Sequence, residues 1–370
     1  MIDNERVLRT FLEYVQIDSE THHEGAMTER LAADLRALGL EVYTDQAGRA
    51  PGVDSDGANV YGFLEGESGH DPILFSAHMD TVTPGQGIDP IIEDGYVRTR
   101  GDTVLGADDK SGVAAIMEAL RCLVESGAPH RPVEVVFTIR EEGGLFGSAN
   151  LEYGRIRSKY GVVLDASNDV GKIVTSAPGQ IRLYADIYGK RSHAGSDPEK
   201  GVSAIRAAAV AVSRMKLQRI DEETTANIGT FSCVGATNVV QDHVTFAAEA
   251  RSRDPKKLEA QQAHMLRCLQ EACREYGARL EHRVQRSYHS YGFPDSHPLV
   301  RLLMERCRDI GVEPWTTYTG GGTDGNNFNL HGIETVVLAC GMELEHTTNE
   351  QIRIQNLEDA ARLVLSIMRA

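Results

Sequence analysis

The sequence lacks any apolar run near the roughly 20 residues that a helix needs to span a bilayer. Its six cysteines are scattered through 370 residues with no CxxC pair, which predicts reduced, buried thiols rather than disulfides. The first residues, MIDNERVLRTFLEYVQ, are amphipathic and carry acids, which is not the pattern of a secretion signal. These absences predict a cytoplasmic protein with no membrane segment.

Positive charge is also scarce, because 38 Lys and Arg residues stand against 54 Asp and Glu, for a formal net charge of −16. Nucleic acids and anionic membranes are bound through basic patches, so neither is expected as a partner. An acidic surface that keeps the protein in solution explains the charge better. The hydrophobic content of 41% and the length are typical of a globular protein with room for two domains.

Five histidine and carboxylate residues stand at predicted strand ends or beside glycine turns. They occur in SAHMDTV, LGADDKSG, IREEGGLFGS, VVLDAS and MELEHTTNE, and are His78, Asp108, Glu142, Asp165 and His346. Histidine and carboxylate without cysteine are the ligands of a catalytic zinc site, since structural sites favour thiolates. Strand ends that converge at one edge of an α/β sheet are also where such proteins bind ligands. The pattern indicates a two-metal hydrolase.

Each motif has a plainer explanation when it is taken alone. Glu141 and Glu142 suit a site in which one carboxylate binds metal while its neighbour takes a proton from water, but they also suit a solvated acidic turn. His78 with Asp80, two residues apart on one strand face, fits a metal ligand and its hydrogen-bonded carboxylate, or a structural histidine. Asp108 lies just before a predicted helix, where it can equally act as an N-cap.

The order of predicted elements indicates a discontinuous main domain. Strand-like runs such as ILFSAHM, VEVVFTI and GVVLDAS alternate with helical patterns up to residue 177 and again from 291, which predicts an α/β sheet covered on both faces. Residues 178–290 instead follow a β-α-β-β-α-β order, the ferredoxin-like unit, at a length that fits an inserted domain. We therefore predict a split catalytic domain, 1–177 plus 291–370, and a lid or dimerisation domain at 178–290.

Taken together, these stretches resemble the co-catalytic zinc metallopeptidases, which include peptidase T, glutamate carboxypeptidase, succinyl-diaminopimelate desuccinylase and acetylornithine deacetylase. The match continues through EHTTNEQI and, in the inserted domain, through GKRSHAGSDPEKGVSAI and NIGTFSCVGATNVVQDHVTFAAEARSRD. It runs through nearly the whole chain and is closest to the peptidase T-like branch. The resemblance implies a mixed-sheet α/β/α zinc-peptidase catalytic domain with an inserted α+β ferredoxin-like lid.

The resemblance also implies a ligand set for two divalent metal ions. Asp108 would bridge the two ions, His78 and Asp165 would complete one site, and Glu142 and His346 would complete the other. Zinc is the expected metal, and carboxylate-rich ligation is also compatible with cobalt or manganese.

Three further residues receive catalytic roles from the resemblance. Glu141 would be the general base and acid, and Asp80 would be the partner of the His78 ring. His193, in the RSHAG stretch of the lid, would stabilise the oxyanion, reaching into the site of a partner subunit if the protein is a homodimer through the lid. The family also places a cis peptide bond after the bridging aspartate, here Asp108–Asp109.

Substrate-binding positions follow from the same resemblance. Asn238 and Arg253 match lid positions that hold the substrate's backbone or carboxylate. Peptidase T itself commonly carries an arginine before its TDG sequence, whereas this chain reads YTGGGTDGNN. Backbone N–H groups of the glycine turn, including those of Gly321 and Gly322, can form an anion-binding nest in its place, although the turn can also be simply flexible.

The function expected from these residues is that of a metal-dependent exopeptidase on short peptides, peptidase T-like, with Glu141 as general base. Hydrolysis of N-acyl amino acids, or carboxypeptidase action, remains an alternative because the arginine is missing. A non-catalytic protein that binds metal or peptide is the alternative from another class. Retention of Glu141, which has no ligand role in the expected site, speaks against it.

Overall fold

The computed structural model describes residues 1–370. Nine α-helices are formed, α1 to α9 in chain order: Asn4–Val15, Gly25–Ala37, Ala107–Ser126, Phe146–Ala149, Ala204–Arg214, Pro255–Tyr276, Pro298–Asp309, Asp324–Leu330 and Ile354–Met368. None of them has the length and hydropathy that crossing a membrane requires.

Twenty β-strands complete the regular structure. They are β1 to β20 in chain order: Glu41–Thr44, Val60–Leu64, Ile73–His78, Pro90–Glu93, Tyr96–Thr99, Val133–Thr138, Tyr160–Ala166, Lys172–Ala177, Gly179–Tyr188, Ser192–His193, Gln218–Arg219, Thr224–Ser232, Val239–Val240, His243–Ser252, Arg279–Tyr288, Tyr291–Gly292, Trp315–Tyr318, Glu334–Ala339, Met342–Glu343 and Gln351–Arg353.

The chain divides into two compact units. The first unit comprises residues 1–176, 293–319 and 323–370, and the second comprises 177–292 together with the glycine turn at 320–322. The assignment of these regions as catalytic and lid domains stays a prediction.

The main sheet of the first unit is mixed. Its strand order is β1-β2-β6-β3-β7-β18-β8, with β17 paired to β8. Strands β6, β3, β7 and β18 run parallel to one another, whereas β1, β2 and β8 join this central group through antiparallel pairs. The α/β sheet expected from the strand-like runs is therefore confirmed, as is the mixed sheet that the resemblance implies. Its four central strands present their carboxyl ends at one edge.

Both faces of this sheet are buried, which explains why the strand sequences are almost continuously apolar. Alternate side chains of β3 enter different cores: Ile73 and Phe75 belong to the larger one, while Leu74 belongs to the smaller. Helices α1, α3, α7 and α9 contribute to the larger core. Phe328 of α8 packs in the smaller core on the opposite face. The result is a three-layer α/β/α arrangement around the central strands.

A second, smaller sheet of the first unit has the order β19-β20-β5-β4, with every pair antiparallel. Strands β19 and β20 form a hairpin whose loop spans 344–350. This loop carries His346, so the predicted ligand reaches the main sheet from a different sheet of the same unit.

The second unit is an antiparallel sheet with two helices. Its strand order is β11-β12-β14-β9-β15, and the long elements follow the chain order β9-α5-β12-β14-α6-β15. Inward residues of β9, such as Ile181, Leu183 and Ile187, pack with α5 and α6 residues such as Ala208 and Leu269 in a core of their own. All six cysteines of the chain are free thiols, and five of them are buried.

Helix α3, which carries Asp108, offers a test of the packing. Leu120 is fully buried and Val124, one turn later, is 41% exposed. Leu120→Ala is expected to lower the free energy of unfolding by about 2–5 kcal/mol, because it leaves a cavity in the larger core. Val124→Ala is expected to change it by less than about 0.5 kcal/mol. Urea titration of both metal-free variants measures this, and equal losses would contradict the packing described.

Candidate metal centre

The carboxyl ends of the parallel strands bring the predicted metal ligands together. His78 is the last residue of β3, and Asp165 is the last but one of β7. Glu142 follows the end of β6 by four residues, and Asp108 is the second residue of α3. Because these parallel strands are neighbours in one sheet, their ends place His78, Glu142 and Asp165 at the same edge. The start of helix α3 brings Asp108 beside them.

One carboxylate lies at the centre of this group. Oδ1 of Asp108 is 2.9 Å from Nε2 of His78, and its Oδ2 is 3.2 Å from Nε2 of His346. Oδ1 of Asp165 lies 3.8 Å from the same Nε2 of His78, and Oε1 of Glu142 lies 2.8 Å from Nε2 of His346. Asp108 thus belongs to two groups of three possible ligand atoms, one with His78 and Asp165 and one with Glu142 and His346, each group spanning less than 4.8 Å.

A third overlapping group contains Glu141 beside His78 and Glu142. In this alternative Glu141 would be a ligand and not a base. We favour the first two groups because Asp108 offers one oxygen to each histidine, as a bridging carboxylate does. That these side chains bind metal stays a prediction.

The charges at this edge fit a bound cation. Burial raises the pKa of Glu141 and of Asp165 well above the ordinary range, and neighbouring carboxylates add to both shifts. Burial likewise raises the pKa of Glu142. The ion pairs of Asp108, Asp165 and Glu142 are all with His78 or His346. Buried carboxylates with so few positive partners, together with nitrogen and oxygen donors only, suit a divalent metal centre.

The two histidines respond to the same carboxylates. Burial pulls the pKa of His78 down, but the carboxylates of Asp108 and Asp80 outweigh it and hold the pKa well above its ordinary value. Hydrogen bonds with Asp108 and Glu142 raise the pKa of His346 to about 10. In the metal-free protein both imidazole rings are therefore protonated. Their positive charge takes the place of the charge that a bound metal ion would supply.

Asp80 contacts the site through two different groups. Nδ1 of His78 lies 2.9 Å from the backbone oxygen of Asp80 and 3.5 Å from its carboxylate. The carboxylate also accepts the backbone N–H groups of Glu141 at 2.9 Å and Glu142 at 3.3 Å, and the hydroxyl of Thr21 at 2.7 Å. Asp80 therefore holds the backbone of the two adjacent glutamates, a contact that the HxD spacing alone did not indicate.

The turn after Asp108 has the geometry that the resemblance implies. The Asp108–Asp109 peptide bond is cis. Asp109 accepts N–H groups from His78 and from Gly112, both at 3.2 Å. Asp109 thus accepts a hydrogen bond from the first turn of α3, as an N-cap would. Asp108 instead faces the two histidines, as a metal ligand would.

Two carboxylates near this edge were not singled out in the sequence. Glu350 accepts the backbone N–H group of Asp108 at 2.9 Å, and Asp324, at the start of α8, accepts the hydroxyl of Thr138 at 2.5 Å. Both are almost fully buried. Their partners are distant in sequence, so motif spacing could not identify them. Asp324 belongs to the TDG sequence, but that sequence did not indicate its partner.

The remaining predicted residues lie in the second unit. Nδ1 of His193 accepts N–H groups from Gly195 at 3.1 Å and Ser196 at 3.0 Å. A neutral ring with that bonding carries its proton on Nε2, which is then a donor. The backbone oxygen of Asn238 accepts the N–H group of Ala194 at 2.8 Å, so Asn238 is a neighbour of His193. Their roles stay predictions.

Arg253 and the glycine turn belong to the same unit. Arg253 follows the last residue of β14. The carbonyl of Gly320 accepts a hydrogen bond from Arg251 at 3.2 Å, and a side chain at Gly322 would collide with the ring of Tyr288. Close packing therefore requires glycine at position 322. Substrate binding by Gly321 and Gly322 stays a prediction.

Comparison with known proteins places this geometry among peptidases. Residues 74–370 match the profile of Peptidase family M20/M25/M40. A crystal structure of aminopeptidase PepT from Bacillus cereus ATCC 10987 has a TM-score of 0.94 and 44% identity, covering 100% of this chain and 98% of that one. A tripeptidase structure from Staphylococcus aureus Mu50 has a TM-score of 0.96 and 41% identity, with the same coverage.

A curated relative gives a similar match without an assigned activity. The protein YqjE of Bacillus subtilis strain 168, described as uncharacterized, is 42% identical over 368 residues, covering 100% of this chain and 99% of its own length. Together the comparisons confirm the resemblance to the co-catalytic metallopeptidases and its closeness to peptidase T.

The histidine pKa shift leads to a test of metal binding. At pH 7 His346, with a pKa of about 10, carries a proton, and only the neutral ring can bind a metal. Zinc binding should therefore release about one proton more from the wild type than from His346→Gln. Calorimetric titration in buffers of different ionisation enthalpy measures the release. Replacement of the exposed His70 by Gln is the control, and an undiminished release from His346→Gln would contradict the assignment.

Proposed function

Since the chain belongs to peptidase family M20/M25/M40 and is therefore an enzyme of a metal-dependent family, we propose that it is an exopeptidase that removes the amino-terminal residue of tripeptides. The observation that carries the proposal is the position of Asp108 between His78 and His346, with Glu141 beside them. The likeness to an aminopeptidase PepT and to a tripeptidase, both above 40% identity, supports the choice of substrate.

We propose Zn2+ as the metal, in two sites that share Asp108, with Co2+ or Mn2+ as alternatives. His78 and Asp165 would hold one ion, and Glu142 and His346 the other. When bound, such ions supply Lewis acidity to the scissile carbonyl and to the attacking water.

Glu141 has the position of a general base. It lies next to the ligand Glu142, and the structure gives it a hydrogen bond through its backbone N–H, to Asp80, while its carboxylate remains available. Burial raises the pKa of Glu141 well above its usual range, which suits a group that takes a proton from water and then gives it to the leaving amine. Asp80 orients this base by holding the backbone on either side of the Glu141–Glu142 peptide bond.

In the second unit, we assign His193 the stabilisation of the oxyanion. Its Nε2 is a donor when Nδ1 accepts the N–H groups of Gly195 and Ser196, and a donor aimed at developing negative charge is worth several kcal/mol of barrier, roughly 3–4 kcal/mol in well-studied hydrolases. Asn238, Arg253, Gly321 and Gly322 would hold the peptide's backbone or terminal carboxylate.

The proposal extends to domain roles and location. Residues 1–177 plus 291–370 would form the catalytic domain, and 178–290 a lid that also mediates a homodimer. A cytoplasmic location is supported by the six free thiols.

The glycine turn supports a second candidate within the same chemistry. Residues 320–322 are all glycine, where peptidase T commonly has an arginine before TDG. An N-acyl amino acid could be accepted by such a turn, so deacylation or carboxypeptidase action is tested beside tripeptide cleavage.

The substrate test is hydrolysis by zinc-loaded protein of tripeptides, dipeptides, N-acetyl amino acids and N-succinyl amino acids. Release of the first residue from tripeptides, faster than any other turnover, is the expected result. Turnover confined to acylated amino acids would move the protein to the deacylases. Hydrolysis of none of these compounds by metal-loaded protein would contradict both assignments.

Two adjacent substitutions separate base from ligand. Glu141→Gln is expected to reduce kcat by about 10²–10⁴-fold while zinc content stays unchanged, because it removes proton transfer without removing a ligand. Glu142→Gln is expected to lose zinc affinity. Metal analysis and steady-state kinetics measure both. Loss of zinc from Glu141→Gln would instead place Glu141 in the ligand set.

A further inference from the structure

The loop that carries His346 also contains Glu350, an acidic residue whose side chain is buried. Glu350 is 2% exposed and lies four residues after His346, at the end of the β19–β20 loop. Its Oε2 accepts the backbone N–H groups of Leu105 at 2.8 Å and Gly106 at 2.7 Å. Its Oε1 accepts the N–H group of Asp108 at 2.9 Å. One carboxylate therefore accepts three of the four backbone N–H groups of residues 105–108, all except that of Ala107.

These three donors stand where helix α3 begins. The first N–H groups of a helix have no partner inside it and need an acceptor from elsewhere. The residue before the helix, Gly106, has a left-handed backbone with φ of 72° and provides no side-chain cap. Glu350 provides the missing acceptor, and a negative charge is favourable at this end of a helix. The carboxylate thus determines where the backbone of Asp108 lies.

The same contact joins two parts of the proposed metal centre. Asp108 faces His78 with one oxygen and His346 with the other. Glu350 is 242 residues from Asp108 in sequence but shares a short loop with His346. Its own N–H group bonds to the carbonyl of Thr347 at 3.1 Å, which folds the loop back on itself. A shift of Glu350 would therefore move the Asp108 backbone and the His346 loop relative to each other.

We propose that Glu350 is a positioning residue of the metal centre, which sets the separation of Asp108 and His346 by binding the N–H groups of Leu105, Gly106 and Asp108. The inference rests on the proposed metal-dependent function. Glu350 acts through the ligands and touches neither the substrate nor Glu141. Partners that orient metal ligands typically change metal affinity by about 10–100-fold when they are replaced.

A purely structural helix cap is the rival explanation, and the chain contains a matched control for it. Glu134, at the start of β6, is 6% exposed. Its carboxylate accepts the N–H groups of Arg157 at 3.0 Å and Ser158 at 2.8 Å, and the Ser158 hydroxyl at 2.5 Å. Like Glu350, Glu134 is therefore buried, and its carboxylate accepts hydrogen bonds from three donors. Glu134 lies at the amino end of β6, whereas Glu141 follows the carboxyl end of the same strand.

The experiment compares Glu350→Gln with Glu134→Gln. In either variant an amide NH2 replaces an acceptor oxygen and faces backbone donors, so both metal-free proteins should lose thermal stability. Zinc affinity, measured by competition with a chromophoric chelator, should fall by about 10–100-fold in Glu350→Gln. It should stay within about twofold of the wild type in Glu134→Gln. The absorption spectrum of the Co2+-loaded protein should change only in Glu350→Gln, because it reports ligand geometry.

Wild-type zinc affinity and an unchanged cobalt spectrum in Glu350→Gln would overturn the proposal and leave Glu350 as a helix cap. An equal loss of affinity in Glu134→Gln would overturn it as well. Glu350→Asp, which keeps the charge but is too short to reach all three donors, is measured alongside in case Glu350→Gln does not fold. If the wild type binds no divalent metal, the proposed function itself fails. If the wild type binds zinc and Glu350→Gln binds it equally well, only the positioning role fails.

Discussion

The structure depends on the burial of several carboxylates at one edge of a parallel sheet. Asp165 and Glu142 converge there with His78 because the strands β3, β6 and β7 run in the same direction and end together, and the start of helix α3 brings Asp108 to the same edge. Like charges in a buried site cannot all stay ionised without a compensating cation. In the metal-free protein His78 and His346 supply that positive charge, and the donor set they form with the carboxylates suits a divalent metal in their place.

Holding such a cluster requires rigid backbone as well as charge. Three further carboxylates serve this purpose, and each binds N–H groups on the segment that carries a predicted ligand or base. Asp80 holds the Glu141–Glu142 pair, Asp109 holds the backbone of His78, and Glu350 holds the turn that leads to Asp108. The site is therefore an inner group of predicted ligands surrounded by acids that accept hydrogen bonds from backbone N–H groups.

The sequence predicts the inner group better than the outer one. Predicted ligands such as His78 and Asp165 lie at the ends of apolar strands, so hydrophobic patterning locates both the strand and the polar residue near its end. The same runs predicted the α/β sheet, whereas its mixed strand directions were implied only by the family resemblance. Glu350 gives no such signal, because its partners lie more than 240 residues away and are backbone groups of any residue type. The carboxylate of Asp80 was expected to face the ring of His78, and it lies 3.5 Å from Nδ1 of that ring. Tertiary packing also gives it the N–H groups of Glu141 and Glu142, which the sequence did not indicate.

The most direct test of the account is anomalous diffraction from crystals of the zinc-loaded protein. Two peaks are predicted, about 3.5–4 Å apart, one beside His78 and Asp165 and the other beside Glu142 and His346, with Asp108 in contact with both. A single peak, or peaks that do not share Asp108, would contradict the bridging role on which the proposed chemistry depends.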